Sequence, residues 1–186
     1  MERGTRMSDT VIDTCCLTNV SAAGNLPAML SHTGLIWHVP PAVVAEAIFI
    51  RAKDADGRLV KQRVDLNPFF AAKVLLSTAL AEGEETALYV ALAADLSDGE
   101  AMALAIATCR GWRIATDDRK ARRRAEELGT EIITTPQIMR LWAENSGSDK
   151  GVVRTALLSI ELLAKFVPAA DFPECDWWNR FVSAEL

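Results

Sequence analysis

The chain has 186 residues, 50% of them apolar and 24% charged, with a formal net charge of −5. That composition suits one globular domain with an appendage and carries no disorder signature. No apolar run reaches the ~18 residues of a membrane-spanning helix, and the acidic balance argues against coating nucleic acid by bulk charge, though not against a local basic patch.

In chain order, the opening MERGTRMSDT lacks the apolar stretch of a signal peptide and reads as a frayed tail, with Met7 an alternative start. Thr10–Ile12 reads as a short buried strand and residues 25–31 as a helix. Leu35–Val39 is a second strand, stopped by Pro40 and Pro41, and Pro41 suits the first turn of a helix over residues 42–51 with Val43, Ala47 and Ile50 on one face. Asp56-Gly57 signals a hairpin whose returning arm is residues 58–66, a polar insertion outside the main sheet. A short helix over 69–73 and a strand over 74–79 follow. Residues 84–95 are helical, and Ser97-Asp98-Gly99-Glu100 opens a helix that Gly111 ends. Residues 112–116 form a strand, 119–128 a helix, 131–134 a strand and 136–144 a helix. Asn145-Ser146-Gly147-Ser148 reads as a linker, followed by an apolar-faced helix over 150–166 and a proline-broken tail carrying Trp177 and Trp178. Strands alternating with helices at this spacing predict an α/β fold, a three-layer doubly wound sandwich on a mainly parallel sheet, with a C-terminal helical extension. The expected division is a domain over 1–145, with its hairpin insertion near 53–66, and an extension over 146–186 packed on the domain or on a second copy.

Sheets of this kind hold their sites at the carboxyl ends of the strands. Asp13 directly follows the first strand, and Asp117 and Asp118 follow the strand that ends near Thr116. Glu46 follows the second strand among small and apolar neighbours (VVAEA), and Glu100 lies in the first turn of the helix that leads to Asp118. Four segments can therefore aim a carboxylate at one edge. A like-charged pair at ~4 Å costs on the order of 4 kcal/mol at an effective dielectric of ~20, so such a group is either partly protonated or neutralised by a divalent cation. Oxygen donors select Mg²⁺ or Mn²⁺ over zinc. Each acid also has a local reading. Asp13 can cap backbone amides, Glu46 can face solvent, Glu100 completes a capping box with Ser97, and Asp117 or Asp118 can be the N-cap of the next helix.

Taken together, "VIDTCCL", "VPPAVVAEA", "GEAMALAIATCRGW" and "RIATDDRKA" resemble the PIN domain over roughly residues 9 to 140, and the block from Gly99 to Asp118 is the most specific part. The resemblance implies a metal-dependent endoribonuclease that binds Mg²⁺ or Mn²⁺ and hydrolyses phosphodiester bonds of single-stranded or structured RNA. It assigns Asp13, Glu46, Glu100 and Asp118 as the catalytic, metal-holding acids, with Asp117 a neighbouring ligand or cap and with Thr14 and Thr116 as supporting hydroxyls. Glu100 stands where the family often has Asp, and Cys15 and Cys16 stand where it commonly has Asn, Ser or an aliphatic residue. The family's compact toxin members imply an antitoxin-like regulator. The hairpin insertion and the tail after Asn145 make this chain longer than those members.

The densest positive run is "RKARRR", in which Arg119, Lys120, Arg122 and Arg123 are candidates for phosphate contacts. Its rival is a solvated helix face with Arg123 and Arg124 paired to glutamates. The four cysteines lack zinc-site spacing and read as reduced thiols of a cytoplasmic protein. His32 and His38 read as structural, and Val153, Leu157, Ile160 and Ala164 form an apolar stripe suited to the domain or to a homodimer. The rival to the nuclease is a noncatalytic nucleic-acid-binding or assembly module on the same fold, with a small-molecule phosphohydrolase as a third reading.

Overall fold

Five short strands pair side by side and in one direction, in the order β5 (Leu75–Ser77), β2 (Leu35–Val39), β1 (Ser8–Ile12), β6 (Arg113–Ala115), β7 (Ile132–Ile133). In the register, Val11 lies beside both His38 and Ile114. Two further strands, β3 (Phe49–Lys53) and β4 (Leu59–Arg63), form a separate antiparallel hairpin closed over Asp56-Gly57. The computed structural model describes residues 8–46 and 48–183. Of the expected tail, residues 1–7 lie outside the described residues, as does Ala47, and Ser8–Thr10 belong to β1.

Because successive strand residues point to opposite faces, Ile12, Ala115 and Ile133 pack one way and Val11 and Ile114 the other. The first face is covered by α1 (Thr14–Ala22), α2 (Leu26–Ser31), α8 (Thr135–Ser146), α9 (Lys150–Ser159) and α10 (Cys175–Ser183). The second is covered by α5 (Glu84–Leu92), α6 (Asp98–Arg110) and α7 (Arg119–Glu127). The helices α3 (Pro41–Ala45) and α4 (Asn67–Ala71) are single turns. This is the three-layer α/β sandwich that the alternation predicts. No helix among the described residues is long and apolar enough to cross a membrane.

Four local expectations are corrected. The helix over 42–51 stops at Ala45, because Phe49–Lys53 pairs instead with Leu59–Arg63 and the Ile48 carbonyl takes the Val64 amide at 2.9 Å. Five paired residues of the antiparallel ladder with β4 override the local helical spacing. The segment after Asp13, to which the sequence assigns no element, is the helix α1, whose residues are buried on nearly every side and so show no amphipathic pattern. The 145–148 linker is the end of α8, with Gly147 in the left-handed conformation (φ 63°) as its cap. The helix over 150–166 becomes a π-helical turn at Ile160–Ala164, and the tail contains α10. His38 joins three strand segments, accepting or donating at 2.8 Å to both Asp9 and Thr78.

Candidate active site

The chain visits β1, β2 and β5 in one direction, then returns through β6 and β7 on the other side of β1. The exits of β1 and β6 therefore meet at the topological switch point, where open α/β sheets form a crevice. The Asp13 amide donates to the Ala115 carbonyl at 3.1 Å, so the two exits are stitched together. Asp13 caps α1, accepting from the Cys16 amide at 2.9 Å, and Asp118 caps α7, accepting from the Lys120 and Ala121 amides at 2.7 and 2.8 Å. Each carboxylate thus faces a helix N-terminus, which favours negative charge.

Asp13 is nevertheless 0% exposed. Burial pushes its pKa up from 3.8 to about 7, against hydrogen bonds from Thr116, the Cys16 amide and Cys15, with Asp117 adding to the rise. The Cys15 thiol lies 3.1 and 3.2 Å from the two Asp13 oxygens and forms the lid of this buried carboxyl. Both thiols are held protonated. The pKa of Cys15 is raised to about 11 and that of Cys16 also lies above its usual value, for which burial is the largest cause at Cys16.

Asp117 is half-buried and surrounded by donors: the Thr135 amide (2.8 Å), the Thr135 hydroxyl, the Asn19 amide (2.8 Å) and the Cys16 thiol (3.3 Å). Burial raises its pKa and these hydrogen bonds oppose the rise. Its oxygens are occupied in fixing α8 to α1, which makes it a structural neighbour of the site. Asn19 and Thr135 escaped the sequence reading. The only signal for Thr135 was its place before Pro136 at a helix start.

Glu46 reaches across from the second strand's exit. Its carboxylate accepts the Gly99 amide at 2.8 Å and the Thr14 hydroxyl, pinning it between the N-termini of α6 and α1. A Cβ at position 99 would overlap this carboxylate, so glycine there leaves the Glu46 side chain room to keep this seat. Glu100 forms the capping box with Ser97, accepting the Ser97 amide at 3.0 Å on one oxygen. Thr116 accepts the Asp118 amide at 3.2 Å and lies 3.9 Å from the Cys15 thiol.

Glu46, Glu100, Asp117, Asp118, Thr14 and Cys15 line one open cleft of about 440 Å³, and Asp13 sits beneath it. The carboxylates are spread around this cleft. Among the described residues, the one group of potential metal ligands with atoms all within 4.8 Å of one another is Asp13, Cys15 and Cys16. Asp118 and Glu100 each have one carboxylate oxygen with no hydrogen-bond partner among the described residues, and they face the cleft with Glu46. The unengaged oxygens of Asp118 and Glu100 are of the donor type that suits a hard divalent cation, whereas the close group of Asp13, Cys15 and Cys16 mixes one carboxylate with two thiols.

The basic run divides. Arg123 and Arg124 pair with Glu127 at 3.1 and 2.6 Å, Arg122 pairs with Asp171 at 3.3 Å and lies over the Phe172 ring, and Lys120 donates to the Asp95 carbonyl. Arg119 is exposed and makes no ion pair among the described residues.

No curated protein and no solved structure matches the sequence. A family model described as a PIN domain, DUF3368, matches residues 9–157. The match spans both strand exits, Glu46 and the whole of α6, and the chain belongs to the PIN-domain family.

Proposed function

We propose that the protein is a metal-dependent endoribonuclease, with Asp13, Glu46, Glu100 and Asp118 as its working acids. The observation that carries this reading is the pairing of the two strand exits that carry Asp13 and Asp118 at the switch point, with Glu46 on the wall of the same cleft and bonded to the Gly99 amide. PIN domains are generally nucleases that use divalent metals, and Asp118 and Glu100 each offer the cleft one carboxylate oxygen that no described residue engages. Asp118 and Glu100 would hold Mg²⁺ or Mn²⁺ through their unengaged oxygens, and Asp13 would join them once the Cys15 thiol turns aside. Bound there, such an ion would acidify a water and offset charge on the scissile phosphate.

The chain's own groups do the rest. Glu46, fixed on two sides, takes the proton of the attacking water. Thr14 holds Glu46 in place, and Thr116 orients Asp13 and the Asp118 backbone. Arg119 and its neighbours meet the strand's phosphates as it crosses the open cleft. One observation favours the rival, a noncatalytic module: Asp13 is covered by Cys15 and has no exposure.

The test is cleavage of a labelled single-stranded RNA by the purified protein in Mn²⁺ and in EDTA, beside Asp13→Asn and Asp118→Asn. The nuclease reading expects cleavage that needs metal and falls by about 10³-fold or more in either variant, as loss of a group acting in the transition state does. Metal-independent cleavage, or full activity in both variants, would contradict it.

A further inference from the structure

We infer that the segment beyond the family match furnishes the cleft with a phosphate-binding subsite carried by Lys165, resting on the nuclease reading above. The match ends at residue 157. Ala164, Lys165 and Phe166 nevertheless form one wall of the acid-lined cleft, and Lys165 is the one cation among the residues lining it.

Three features fix Lys165 there. The chain reaches it through the π-helical turn Ile160–Ala164, which packs against α1 and β3 and anchors in the core through the fully buried Ile160. Beyond it, the Phe166 ring stands edge-on to Phe172 and Trp178, each at 5.9 Å, and the Trp178 indole donates to Glu161 at 2.8 Å. Held on both sides, the backbone at Lys165 takes a left-handed conformation (φ 59°, ψ 35°) that glycine adopts freely and lysine does not. A left-handed residue is the common way for a helix to end, and here that position is filled by lysine rather than glycine at the mouth of the cleft.

The charge is also unspent. Lys165 is exposed and makes no hydrogen bond or ion pair among the described residues, although four carboxylates line the same cleft. The cations of α7, by contrast, are mostly paired. A partner that lies between the acids and this ammonium, and satisfies both through a metal on one side, is a phosphodiester strand. Lys165 then holds a phosphate next to the one that is cut, as a point charge.

The test compares wild type, Lys165→Gly and Lys165→Arg in the full chain. Binding of a fluorescein-labelled single-stranded RNA is followed by anisotropy, with Ca²⁺ in place of Mg²⁺, across a salt series. Each protein's thermal midpoint is recorded. Lys165→Gly is expected to melt at a higher temperature because the backbone strain is relieved. It should bind RNA roughly tenfold more weakly, with a salt slope smaller by about 0.7, the value for one phosphate contact on a single strand. Lys165→Arg should bind as wild type does. Unchanged affinity and slope in Lys165→Gly would overturn the subsite and leave the nuclease reading standing. Weaker binding with a lower melting temperature and no rescue by Lys165→Arg would make Lys165 structural and also overturn it. Failure of the wild type itself to bind or cut RNA would sink the nuclease reading, and the subsite with it.

Discussion

Asp13 combines a cost in stability with the metal-holding role proposed for it. Its carboxyl is buried, and its folded pKa of about 7 lies above the unfolded value near 3.8. The folded protein therefore binds more protons than the unfolded chain between those values, and stability falls as pH rises through that window, then levels off. In EDTA, the thermal midpoint of the wild type is expected to fall between about pH 5 and about pH 7.5, and Asp117, shifted the same way, adds to the fall. Asp13→Asn, which keeps the capping oxygen, should flatten this profile and melt higher at neutral pH while losing activity. Melting curves of the two proteins across that range check it, and a variant less stable than wild type at neutral pH would contradict it. Gly99→Ala is a second case. It should favour the helix by propensity yet push the Glu46 carboxylate from its seat. A misplacement of that size costs roughly 10²-fold in kcat, read in RNA cleavage, with stability near wild type. At this scale the placing of Asp13 straight after β1 was legible, because a carboxylate directly after an apolar strand is a chemical anomaly. The Cys15 thiol over Asp13 was not, since it depends on side-chain directions that α1 sets and no spacing records.

Among the elements, α6 was the most legible. Its capping box, alanine-rich body and closing Gly111 all speak locally, and Ala101, Ala103, Leu104, Ala105, Ile106 and Ala107 are fully buried against the sheet. Helix α1 and strand β3 were missed for opposite reasons. The first is buried all round and shows no stripe. The second has helix-like spacing that only its partner β4, ten residues later, overrides. The C-terminal elements belong to the main core: Val153, Leu157, Ile160 and Trp178 join the cluster that holds Ile12 and Trp37. Trp178 is 0% exposed and its indole is hydrogen-bonded to Glu161. Trp178→Ala should therefore cost ~3–5 kcal/mol, measured by chemical unfolding, and truncation after Asn145 should leave a chain that does not melt cooperatively. A truncated chain with a full cooperative transition would contradict this packing. The apolar stripe on α9 is covered by this chain's own residues.

At the scale of the molecule, the sheet order places two strand exits side by side, and three helix N-termini, those of α1, α6 and α7, turn toward the same cleft. That convergence lets a net-negative chain gather further acids at one edge, since amide dipoles offset part of the repulsion. The proposal that these acids share a metal can be tested without knowing the RNA. The measurement is an equilibrium Mn²⁺ titration followed by the electron paramagnetic resonance of the free ion, with wild type, Asp13→Asn and Asp118→Asn. Saturable binding in the wild type, displaced by Mg²⁺ and lost in both variants, is the expected result. Binding that survives unchanged in both variants, or no binding by the wild type, would contradict it.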